Sequence, residues 1–168
     1  MLLVCAVLFA GCSKKDGDSK KSDKSDKKGG DDEGGGGGGG GGGMRKAKKS
    51  EGMLMLDKIV RAAKEEFNVN AQFPVATIPL TPATECCADK DHKCQPAAEA
   101  WKDWRKLDFQ IDEAHLFRYS YESDGKSFTA KAVGDLDCDG TAVTYEARGT
   151  SANGNPQVEI VEPPPNSD

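Results

Sequence analysis

The sequence predicts an α+β head carried on a disordered N-terminal tether. Three observations point there. Met53, Leu56, Ile59, Val60, Ala63 and Phe67 form an apolar stripe at helical spacing. Short alternating segments follow at residues 117–121, 127–134 and 141–148, and residues 13–50 are built almost wholly from Lys, Asp, Ser and Gly. A 3.6-residue period succeeded by period-2 segments is the pattern of one helix laid on an antiparallel sheet. We expect one amphipathic helix on three to four strands, with the head at residues 51–161 and a Pro-rich tail at 162–168.

Residues 1–11 are apolar but too few to cross a bilayer, which takes about 20 such residues. They run into Leu8-Phe9-Ala10-Gly11-Cys12, which resembles a bacterial lipobox. Small residues before a cysteine admit a processing peptidase, so residues 1–12 are expected to be a lipoprotein signal with Cys12 as the lipidated first residue of the mature chain. The expected location is the cell envelope, lipid-anchored, with Ser13 rather than Asp leaning toward an outer membrane, on its periplasmic or surface face.

Residues 13–50 have no large apolar residue except Met44, so they have nothing to bury and are expected to be disordered. Ten consecutive glycines, 34–43, make this segment flexible, and its typical reach is roughly 35 Å. Charge is partitioned along the chain. Residues 13–50 carry 11 basic and 7 acidic groups, while residues 51–168 carry 12 and 21. An acidic head argues against nucleic acid as a partner, because neutralising phosphates takes clustered Lys and Arg. Nor does the pattern suggest a small-molecule substrate.

Within the head, the helical stripe is expected to end across residues 68–74. Pro74, Pro79 and Pro82 then make residues 75–84 an extended connection rather than a central strand. Pro96 suits a first helical position, and a short helix over 97–106 would bring Trp101 and Trp104 to one side, where they are expected in the core. Ser123-Asp124-Gly125 turns the first strand into the second, residues 151–155 form a later turn, and 158–161 can add an edge strand.

Outside the leader there are four cysteines, Cys86, Cys87, Cys94 and Cys138, and an even count in an exported chain reads as a disulfide framework. Pairing Cys86 with Cys87 demands an unfavourable geometry between neighbours. Both remaining pairings link Cys94 to one member of the doublet and Cys138 to the other. Either one bolts the loop around Cys138 to the loop before the sheet. A zinc site from Cys86, Cys87, His92 and Cys94 is the sharper alternative, but it lacks C-x2-C spacing.

The loop around Cys138 carries Asp135, Asp137, Asp139, Gly140 and Glu146 at positions 1, 3, 5, 6 and 12, the spacing of a Ca²⁺ loop in which Thr141 offers its carbonyl. The flanks are strand-like rather than helical, so the same residues also read as a hairpin turned at Asp139-Gly140. Catalysis finds little footing. His92 lies in the cysteine loop and His115 follows Asp112-Glu113-Ala114, with no Ser or Cys nucleophile beside either in a recognisable motif.

The order of parts is similar to a known family. A helix, the Phe73-Pro74 exit, a cysteine-bearing connection, Trp104 ahead of Leu107-Asp108-Phe109, Phe117-Arg118-Tyr119-Ser120-Tyr121, Ser127-Phe128-Thr129-Ala130 and Gly134-Asp135-Leu136-Asp137-Cys138-Asp139-Gly140 resemble the globular headpiece of bacterial type IV pilins and pseudopilins over residues 53–149. The resemblance implies an α/β-roll, no catalysis, partners among pilus or type II secretion components, and Ca²⁺ at Asp135, Asp137, Asp139, Thr141 and Glu146. The chain departs from that family in lacking the long apolar N-terminal helix through which pilins polymerise. The expected function is therefore a non-enzymatic, membrane-tethered pilin-like lipoprotein serving as a structural or interaction module. Alternatives are a Ca²⁺-dependent adhesion module unrelated to filaments and a pilin subunit with a different N-terminus.

Overall fold

The computed structural model describes residues 41–165 and 167. Cys12, the expected lipidation site, and residues 13–40 of the expected tether lie outside them. In chain order the elements are helix α1 (Gly41–Asn70), strand β1 (Ala76–Thr81), three 3-10 segments (Cys86–Ala88, Lys90–His92 and Ala98–Leu107), then β2 (Arg118–Ser123), β3 (Ser127–Gly134), β4 (Val143–Ala152) and β5 (Asn155–Val161). The strands form one antiparallel sheet in the order β1-β2-β3-β4-β5. The chain is therefore α+β, with a simple meander on which each strand pairs with its sequence neighbours.

Five strands stand where three to four were expected. The addition is β1, which contains Pro79. A proline cannot donate to a ladder, and here it falls at the edge, where the register between β1 and β2 breaks between Ile78 and Thr81. The structure thus keeps the residues out of the sheet's centre, yet uses them as a strand. The expected edge strand at 158–161 is the second half of β5.

The helix also begins earlier than expected, since residues 41–50 of the supposed tether belong to α1. Polar contacts with distant parts of the head hold that first stretch. Lys48 donates to the Leu136 carbonyl at 2.6 Å, Lys49 to the Ser167 carbonyl at 2.6 Å, and Glu51 accepts the Leu116 N–H at 2.7 Å. No described helix is long and apolar enough to cross a membrane.

Packing follows the stripe. Leu56, Ile59, Val60, Ala63 and Phe67 are buried. Facing them, the sheet presents small residues: Ala130 opposite Ala147, Ala132 opposite Tyr145, and Phe128 opposite Gly149. A floor of alanines lets the helix approach, and the larger rings sit around it. Phe128 lies on Gly149 so closely that a Cβ there would fall 1.9 Å from its ring. At the other end Phe117 fills the space above Gly52 of α1 and Gly134 of β3, where an added Cβ would come within 2.9 and 2.8 Å. Each glycine's missing side chain is the seat of an aromatic ring.

Trp101 and Trp104, both buried as expected, arrive on the 3-10 segment Ala98–Leu107 and form a second aromatic group with Phe109, Tyr119 and His115. Asp108, in the left-handed region at φ 44°, ends the segment and returns its N–H to the Arg105 carbonyl.

Candidate functional site

The acidic loop joins β3 to β4 and begins where their ladder ends, at the Gly134–Val143 pair. Cys138 and Gly140 take positive φ, 63° and 92°, which is how so short a loop reverses. Asp135 fixes the turn: one carboxylate oxygen accepts the Cys138 N–H at 2.7 Å and the other the Gly140 N–H at 2.9 Å. Asp139 accepts the Thr141 N–H at 2.7 Å. Side chains that bond their own backbone in this way favour loops over strands.

Each residue of the predicted cation loop can now be placed. Asp135, Asp137 and Asp139 bring one carboxylate oxygen apiece within 4.8 Å of one another. Thr141 is exposed at the loop's end. Glu146 is not in that group. It sits on β4 opposite Lys131 of β3, on the face of the sheet away from α1, and bonds Arg148 at 2.5 Å and Lys131 at 3.3 Å. The Arg148 hydrogen bond, then those of Lys131, hold its carboxyl below the ordinary range. Strand pairing, which a loop motif ignores, brings Lys131 to Glu146, and the alternation along β4 puts Arg148 on the same face.

The cysteines resolve into Cys86–Cys94 and Cys87–Cys138, spanning 8 and 51 residues of sequence. This is one of the two pairings the sequence left open, and it occupies the sulfurs that a Cys86, Cys87, His92 and Cys94 zinc site would need. The short bridge is buried, with Cys94 fully enclosed and Cys86 6% exposed. The long bridge is half-buried and ties the first 3-10 segment to the acidic loop. Cys87 Sγ lies 3.2 Å from the Asp135 carbonyl oxygen. The cysteine count implies the bolt but not this adjacency, which depends on how the doublet's backbone turns.

The histidines are placed apart in character. His92 is exposed, with Nδ1 3.1 Å from the Cys87 carbonyl. His115 is 3% exposed, its ring against Trp101, its Nδ1 2.9 Å from the Glu113 carbonyl, and its backbone bridged to Cys94. Asp112 and Glu113 are exposed on the preceding loop.

No protein-family model, curated protein or solved structure matches the chain.

Proposed function

We propose that the chain is a non-enzymatic, membrane-tethered interaction module with a pilin-like head, anchored through a lipid on Cys12 and working with envelope components of the pilus or secretion type. The observation that carries this reading is the arrangement of one long helix across a single antiparallel meander, with both disulfides gathered at the loops beyond one end of β3 and β4. Such bridges suit an oxidising compartment outside the cytoplasm. The polar, glycine-rich composition of residues 13–40 suits a leash that leaves orientation free.

The test is the intact, unreduced mass of the protein extracted from its native membrane. The reading expects a diacyl or triacyl chain beginning at Cys12 and four hydrogens short of the reduced formula. A chain still carrying residues 1–11, or extended before them, would return a filament subunit to first place.

A second reading makes the acidic loop a Ca²⁺ site, favoured by the convergence of Asp135, Asp137 and Asp139. Those carboxylates and the Thr141 carbonyl would supply hard oxygens. Glu146 would complete the shell only on leaving Lys131 and Arg148. This reading expects Ca²⁺ to raise the denaturation midpoint of the full chain and Asp137→Asn to abolish the gain. An unchanged midpoint in millimolar Ca²⁺ would remove it.

A further inference from the structure

We infer that the Cys87–Cys138 bridge is a latent metal site: once reduced, its two thiolates and Asp135 form a place for a thiophilic divalent cation such as Zn²⁺. The inference stands apart from both the anchoring and the Ca²⁺ readings.

Three features carry it. First, Cys87 Sγ, Cys138 Sγ and a carboxylate oxygen of Asp135 all lie within 4.8 Å of one another. Tetrahedral zinc with bonds near 2.3 Å separates two sulfurs by about 3.8 Å, so the pair has only to part from bonding distance by side-chain rotation. Second, the third ligand is already held close by. Among the described residues the Cys138 and Gly140 N–H groups each bond one Asp135 oxygen, and a carboxylate oxygen can accept more than one such contact. Asp137 and Asp139, whose oxygens converge on the same carboxylate, or a water, would fill the fourth position.

Third, contacts other than the bridge hold both sides of the site. The doublet stays pinned by the buried Cys86–Cys94 bridge, and the Glu85–Arg118 ion pair at 3.2 Å holds the residue just before it. Asp135 follows directly on the β3–β4 ladder. Exposure also sets the order of reduction, since a small reductant reaches the half-buried Cys87–Cys138 pair before the buried Cys86–Cys94 pair.

The chemistry balances with an external dithiol as reductant. Its thiolate attacks one protein sulfur, the Cys87–Cys138 bond breaks, and a mixed disulfide forms. The reductant's second thiol then displaces the protein sulfur, leaving a cyclic disulfide and two protein thiols. Binding of the cation releases both thiol protons to solvent, and Asp135 adds one carboxylate oxygen to the shell. In the oxidised head the loop offers only hard oxygens, and in the reduced head it adds two soft sulfurs. Redox state would thereby select the class of metal the loop accepts.

The test uses the full-length protein, treated with dithiothreitol under native conditions, desalted without oxygen, and titrated with Co²⁺ alone as a spectroscopic stand-in for Zn²⁺. The inference expects alkylation mapping to label Cys87 and Cys138 while Cys86–Cys94 stays closed. It further expects a thiolate-to-cobalt absorption in the near ultraviolet saturating at one equivalent, bleached by Zn²⁺ and absent from the oxidised protein. Asp135→Asn should weaken Co²⁺ binding about tenfold or more, and Cys138→Ser should lose the two-thiolate band. Two free thiols at Cys87 and Cys138 with no thiolate-cobalt band would overturn the inference. So would mapping that finds Cys86–Cys94 opening first.

Discussion

Around Phe128, the head is held by shape. Its ring sits on Gly149, stacks on Tyr121 at 5.5 Å and meets Phe73 edge-on at 4.8 Å, with Phe67 a further 4.7 Å away. Around Asp135, the same head is held by covalent bridges and by side chains bonding their own backbone. The first region buries nearly all it contains, whereas the second leaves Asp137, Asp139, Gly140 and Thr141 exposed. A helix and a sheet can specify a core by burial, but a polar loop cannot, and so it relies on crosslinks. That division frees the loop to change chemistry without disturbing the core.

The largest effect that would sharpen this contrast comes from the long bridge. Replacing Cys87 and Cys138 together by Ala should cost about 4 kcal/mol in chemical denaturation, the loop-closure entropy of 51 residues. The unfolding transition should remain cooperative. The next effect belongs to the core. Gly149→Ala places a Cβ 1.9 Å from the Phe128 ring, and the overpacking should cost about 3 kcal/mol. A change below about 0.5 kcal/mol would mean that the ring has room to move and that shape is not what holds it.

A smaller effect of opposite sign is expected at Tyr119. Its hydroxyl is buried and finds no hydrogen-bond partner among the described residues, and burial pushes its phenol well above the ordinary range. Tyr119→Phe should therefore stabilise the head by about 1 kcal/mol, read from the same melts.

The smallest effect lies on the outer face of the sheet. Glu146, 18% exposed, is held below the ordinary carboxylate range first by Arg148 and then by Lys131. A depressed folded value adds stability that is fully present above the unfolded value of about 4.3 and fades as pH falls through the lower folded value. Urea melts of the wild type should show this loss as pH falls below the unfolded value of about 4.3. Glu146→Gln should remove its share of the slope.

Much of the first region was legible in the sequence because periodicity reports burial. The stripe from Leu56 to Phe67, the alternation in β2, β3 and β4, and the burial of both tryptophans all follow from that signal. Gly52, Gly134 and Gly149 were not legible as packing sites, since a glycine shows its purpose only when the ring above it is known. Pro79 disguised β1, because a proline argues against a strand until its place at the edge is seen. The start of α1 was hidden for a different reason. Lys48 and Lys49 sit in a polar, lysine-rich run, and only carbonyls 88 and 118 residues away reveal them as ties.

The second region was legible as a set of residues and not as an arrangement. The cysteine count required a bridge to the acidic loop, and the structure chose Cys87 for it. The loop motif assigned Glu146 to the cation shell. Its place on β4, cross-strand from Lys131, follows from register, which depends on where the hairpin turns.

The most direct test of the division between the two regions is amide hydrogen exchange on the full-length protein before and after mild dithiol reduction of Cys87–Cys138. The account predicts protection lost only in residues 86–95 and 135–142, with β2, β3, β4 and the buried face of α1 unchanged. Loss of protection spreading across β3 and β4 would contradict it, showing that the bridge holds the core itself rather than the loop beside it.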